Sequence, residues 1–236
     1  MTKRRKQRGG LRPDKWLSIE EEKRLRNHVD KCAEGGSVRA VVNRMIIMIL
    51  LDAGLRASEL VMLRIADTPA GHGKDAIWVD YGKGAVDRVV DIPRALSREI
   101  RRFVRLYRKS AKPGSALIAS EAGYRRLKDH GIVERSCRLT YNALYYRVRR
   151  IGQAAGVRLY PHKCRHTFAM KTYNVAEDTF FTQDQLGHRS VETTREYART
   201  NSASRRYQVE RMNAPLSCDN RQDSVGKLDV SKQGNP

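Results

Sequence analysis

The sequence predicts an α+β fold, mainly helical, with a small antiparallel hairpin or three-stranded sheet. Three observations lead there. Apolar residues recur at helical spacing through most of the first 200 positions, two short β-branched runs flank a Gly-Lys-Gly tip, and no internal repeat is present. With 236 residues, there is room for one well-cored domain with modest extras.

In chain order, residues 1–15 hold seven bases and one acid, interrupted by Gly9-Gly10 and Pro13, and read as a flexible basic arm. Ser18 and Glu21 stand at capping-box spacing, so a helix is expected from Ile19 to about Lys31, broken at Gly35-Gly36. Val41 to Leu51 (VVNRMIIMILL) is apolar almost all round, as a central buried helix would be, and Gly54 is placed to end it. Ser58 to Leu63 reads as one or two further helical turns. Ala76–Asp80 and Val86–Ile92 read as paired strands.

After Pro93, residues Leu96, Ile100, Phe103, Val104 and Tyr107 mark a long amphipathic helix, and Ala116–Ala119 reads as a short strand. The stretch 120–138 yields no assignment. Thr140 caps a helix reaching about Ala155, and another begins at His162 behind Pro161. Leu186-Gly187 closes a further helical stretch, with a short segment Val191–Tyr197 beyond it. From Asn213 the tail balances three acids against three bases and has little to bury, which predicts disorder. The expected domains are therefore 1–15 (arm), 16–212 (folded unit) and 213–236 (tail).

Charge narrows the function. Lys and Arg number 47 against 26 Asp and Glu, a net +21, which points to a polyanion partner whose binding releases counterions. No apolar run approaches the ~18 residues of a membrane span, and the basic N-terminus lacks the apolar stretch of a signal peptide. Cys32, Cys137, Cys164 and Cys218 are scattered without CxxC pairing and read as reduced thiols of a cytoplasmic protein.

Four strings carry candidate chemistry: GLRASEL (54–60), YGKG (81–84), PHKCRH (161–166) and LGHRSVETTREYAR (186–199). They offer Arg56 with Glu59 one helical turn on, Lys83 between two glycines, His162 and Arg165 with His166, then His188 and Tyr197. Taken singly, each has a plain structural reading: a surface Arg–Glu pair, an exposed turn lysine, a half-buried packing tyrosine. On a helix His162, Arg165 and His166 share one face while Cys164 points away, and Lys163 replaces the glutamate of HExxH, so a zinc site does not fit. Together the groups offer cations, a proton donor and a phenol nucleophile. The reacting set holds no carboxylate to ligate magnesium, so no metal is expected. No Walker loop is present.

In this order and spacing the strings resemble the boxes of the tyrosine recombinase (phage integrase) family over about residues 16 to 212. The resemblance implies a catalytic domain of that fold, a site-specific recombinase that integrates, excises or inverts DNA without cofactor, metal or ATP. Tyr197 would attack the scissile phosphorus to form a 3′-phosphotyrosine link. Arg56, Arg165 and His188 would hold the non-bridging oxygens, Lys83 would protonate the departing 5′ oxygen, and His162 would assist proton movement. Glu59 would orient Arg56. Lys3, Arg4, Arg5, Lys6 and Arg8 of the arm, together with Arg88, are expected to contact DNA.

Family members usually carry an N-terminal helical core-binding domain, which 15 residues cannot build. In this the chain resembles the compact recombinases that invert fimbrial promoter switches. Ser202 to Met212 would form a small helix docking into a neighbour, giving a monomer in solution and a homotetramer on two double-stranded DNA sites. Two other outcomes stay open: a catalytically silent DNA-binding relative, and type IB topoisomerase-like relaxation.

Overall fold

A computed structural model describes residues 13–80, 88–120, 138–176 and 178–187. All of them belong to one compact unit, Met1–Asn201; a second unit, Ser202–Pro236, lies wholly outside the described residues. The fold is mainly helical with a small antiparallel sheet.

Helix α1 (Ile19–Glu34) starts at a complete capping box. Ser18 Oγ accepts from the Glu21 amide at 3.1 Å, and Glu21 Oε2 accepts from the Ser18 amide at 2.9 Å. Helix α2 (Val38–Asp52) is the core. Val42, Met45, Ile46, Ile47, Ile49, Leu50 and Leu51 are all buried, which leaves little of it facing water. Helix α3 (Ala57–Met62) follows Gly54 closely and is anchored by buried Leu55 and Leu60. A short helix α4 (Pro69–His72), opened by a proline in its first turn, was not foreseen from the sequence.

Strands β1 (Ala76–Val79) and β2 (Arg88–Asp91) pair antiparallel, with Ala76 opposite Asp91 and Val79 opposite Arg88. The glycine tip between them lies outside the described residues. The third strand expected over 116–119 does not form. Ala116 bridges Arg64 and Ala119 bridges Arg138, one residue each on different partners, so no ladder of successive pairs can build.

Helix α5 (Arg94–Tyr107) buries Leu96, Ile100 and Phe103 and leaves its arginines outward. Helix α6 (Tyr141–Ala154) is capped by Thr140, whose hydroxyl accepts from the Ala143 amide at 3.2 Å. Helix α7 (Pro161–Ala176) runs against α2 and α8 (Thr179–Leu186). Most of the apolar interior forms one cluster around α2. A smaller one joins Phe168, Ala169, Met170, Tyr173 and Leu186 to Trp16. The segment before α1 straps onto α7, the Leu17 amide donating to Thr167 Oγ1 at 2.8 Å in a buried setting. No helix among the described residues is long and apolar enough to cross a membrane.

Candidate active site

The turn from α2 into α3 places the first site arginine. Gly54 takes φ 60°, a conformation other residues resist, and a Cβ there would lie 2.2 Å from Phe168 Cδ1. Two residues later Arg56 caps α3. The Glu59 carboxylate accepts the Arg56 amide at 2.8 Å and Arg56 Nη1 at 2.6 Å. The side chain of Glu59 is 5% exposed, that of Arg56 37%. The pair is therefore a buried acid presenting a half-exposed cation.

Two further arginines converge on Glu59. Arg88 points inward from β2 and grips both carboxylate oxygens, Nη1 to Oε1 at 3.0 Å and Nη2 to Oε2 at 2.9 Å. Arg165, from the first turns of α7, brings Nη1 to 3.9 Å from Glu59 Oε2 and donates it to the Gly54 carbonyl at 2.7 Å. Burial, the largest single influence on Glu59, acts to raise its pKa. Arg88, the hydrogen bonds from Arg56, and Arg165 outweigh it and hold the carboxyl below its ordinary range. Three guanidiniums thus surround one anion, leaving an excess of positive charge.

The same arginines fasten the end of α8. Arg88 Nε donates to the Gln185 carbonyl at 3.2 Å, Arg165 Nη2 to that of Leu186, and Arg56 Nη2 to that of Gly187 at 3.1 Å. A helix C-terminus leaves such carbonyls without intrahelical partners and carries partial negative charge, so cations suit it on both counts. Gly187 itself is left-handed, φ 62°, and ends the helix.

His162 is exposed on the first turn of α7, and its ring meets that of His166 edge-on with centroids 4.2 Å apart. Desolvation first, then Arg165, Arg56 and Lys15, lower the His162 pKa from its ordinary value. Burial first, then His162, Arg165 and Lys15, push buried His166 down to about 4. Both imidazoles are therefore neutral at pH 7 and able to accept a proton. Cys164 lies fully buried in the main core, away from this face, and burial pushes its thiol up to about 12.

Of the residues singled out from the sequence, Arg56, Glu59, His162 and Arg165 are brought together from α3 and α7. Lys83, His188, Tyr197, Lys3, Arg4, Arg5, Lys6 and Arg8 lie outside the described residues. Arg88 sits differently from its expected place on DNA: its side chain is 6% exposed and turned onto Glu59. The alternation of β2 held the clue, since buried Val90 and Arg88 share a face. A concavity of about 550 Å³ beside the α6–α7 connection, edged by Arg149, Arg150 and Arg158, was also not singled out. Its only sequence signal was a local density of arginines.

Residues 15–204 match the model of the phage integrase family. A tyrosine recombinase XerA of Thermococcus kodakarensis is 38% identical over 157 residues, which span 66% of this chain and 50% of that protein. The crystal structure of XerA recombinase superposes with a TM-score of 0.62 at 25% identity, covering 85% of this chain and 66% of that one. A XerH site-specific recombinase bound to its difH substrate before cleavage gives a TM-score of 0.59 at 27% identity, with 80% and 52% covered. The chain spans about half the length of the curated relatives it matches. By fold and by sequence over most of its length, this chain belongs to the phage integrase family.

Proposed function

We propose that the protein is a site-specific DNA strand-exchange enzyme of the tyrosine recombinase type. The observation that carries this reading is the meeting of Arg56 and Arg165, rooted 109 positions apart in the sequence, on one buried carboxylate with neutral His162 on the same helix as Arg165. A half-exposed guanidinium held from behind by an acid is preorganised to receive a phosphate oxygen, and it stabilises the charge of a pentacoordinate phosphorus without reorganising.

In the proposed reaction the Tyr197 oxygen attacks phosphorus, its proton passing to His162. A phenol of pKa about 10 needs that acceptor and the positive field to react near neutrality. The bond from phosphorus to the 5′ oxygen breaks, and Lys83 gives that oxygen its proton. Arg56, Arg165 and His188 hold the non-bridging oxygens. Attack by a 5′ hydroxyl from another strand then reverses each step and conserves the phosphodiester, so neither ATP nor a metal is consumed. The substrate is double-stranded DNA in the cytoplasm, with a monomer assembling to a homotetramer on two sites. The arm residues Lys3 to Arg8 and the concavity at Arg149, Arg150 and Arg158 supply backbone contacts.

The test uses nicked suicide duplexes carrying the ends of the mobile element or inverted repeat beside the gene, in EDTA. A covalent protein–DNA species is expected, absent in Tyr197→Phe. Binding without adduct would point to a silent DNA-binding relative, and supercoil relaxation without exchange between paired sites to topoisomerase-like action.

A further inference from the structure

We propose that Arg88 is a positioning residue for strand cleavage, an inference that rests on the function proposed above. Its guanidinium is buried, forks onto both oxygens of Glu59, and passes its Nε–H to the Gln185 carbonyl. One side chain thereby ties β2, α3 and the end of α8 together.

Its effect on charge follows from the same contacts. A buried carboxylate must be matched by cations nearby. Without Arg88, the two oxygens of Glu59 would be shared between Arg56, already at 2.6 Å, and Arg165, at 3.9 Å. Both would be drawn inward, and their charge would be spent on the protein's own acid. With Arg88 in place that demand is met from behind, and Arg56 keeps its half-exposed pose. A lysine keeps the charge but not the planar fork, so it cannot hold two oxygens and a carbonyl at once.

The second consequence concerns α8. Arg88, Arg165 and Arg56 each take one of three consecutive carbonyls, 185 to 187, and His188 follows directly in the sequence. Arg88 holds the first of them. Its removal loosens the origin of the segment that carries both His188 and Tyr197.

The experiment compares Arg88→Met, Arg88→Lys, Glu59→Gln and the Glu59→Gln/Arg88→Met double variant with wild type at one fixed salt concentration. Single-turnover cleavage of a suicide duplex and Kd for the uncleaved duplex are measured, with thermal melts as a folding control. Arg88→Met is expected to slow cleavage about 100-fold, the scale of a 1 Å misplacement, while Kd changes by less than about threefold. Arg88→Lys should fall between it and wild type. The double variant should lose less than the product of the two single losses, because both act in part through one carboxylate, with the Gln185 contact left as the share that belongs to Arg88 alone.

A Kd loss as large as the cleavage loss would overturn the proposal in favour of a DNA contact. Full activity in Arg88→Lys would overturn it too, as would multiplicative losses in the double variant. Should Arg88→Met fail to fold, Arg88→Lys carries the comparison. If wild type forms no adduct, the cleavage reading fails separately. A crystal structure of Arg88→Lys then decides the placement, which is overturned if Arg56 and the Gln185 carbonyl keep their positions.

Discussion

Arg165 donates to the carbonyl of Gly54, 111 residues away, at 2.7 Å, so the turn that ends the central helix is also a seat for a site cation. The positive φ of Gly54 and the Phe168 ring, which fills the space a Cβ would need, fix where that carbonyl points. Gly54→Ala must strain the backbone and push against the ring. Stability is expected to fall by more than about 1 kcal/mol, measured by urea melts. Cleavage is expected to fall further than stability explains. A variant with wild-type cleavage would show that Arg165 does not depend on this seat.

Glu59→Gln keeps the shape and removes the anion. Two buried guanidiniums and the half-exposed Arg56 then face one another around a neutral amide, and breaking a buried pair in this way costs about 3–5 kcal/mol. Chemical denaturation should report a loss on that scale. A loss below about 0.5 kcal/mol would mean that water or another group compensates the cluster.

The buried His166 makes stability depend on acid. Its pKa is about 4 in the fold against 6.5 for the free side chain, so the unfolded chain binds the proton more readily between those values. Stability is therefore fully present above 6.5 and is lost as pH falls toward 4. The loss has a ceiling of roughly 3 kcal/mol from this group. Melts from pH 7 to 4 should show the slope, and His166→Gln should flatten it; an unchanged slope would assign it to other groups.

His162 leads to a kinetic counterpart. Its lowered pKa keeps it neutral somewhat below pH 6.5, so the acid limb of the cleavage-rate profile should inflect below that value and vanish in His162→Asn. An inflection above 6.5 would contradict the positive surroundings described.

The strap before α1 rests on a buried hydroxyl. Thr167 Oγ1 accepts the Leu17 amide and donates to the Lys163 carbonyl. Thr167→Val leaves that amide unsatisfied at a cost of about 1–3 kcal/mol. Faster tryptic cleavage at Lys15 under native conditions is the expected signature, and unaltered protection would mean that Trp16 packing alone holds the strap.

Much of this was legible beforehand because it is local. The Ser18–Glu21 box, the all-round apolar α2, the stripe of α5 and the Pro161 start of α7 each declare themselves within one or two turns. His162 and Arg165 were placed on one face by spacing alone. What escaped was non-local. Arg88 was expected on DNA; the alternation of β2 turns it inward, but nothing in the neighbouring residues tells that Glu59 waits 29 positions earlier. Residues 116–119 have strand composition, yet their bridge partners, Arg64 and Arg138, belong to two segments far apart in the sequence. The α8 carbonyls are invisible to side-chain patterns altogether.

Those carbonyls set a leash. Since positions 185 to 187 are each moored to a different element, the path to residue 197 starts from a fixed post among the guanidiniums. Ten residues at full stretch extend at most about 33–36 Å. The proposed nucleophile, Tyr197, must therefore meet its phosphorus within that radius of Gly187.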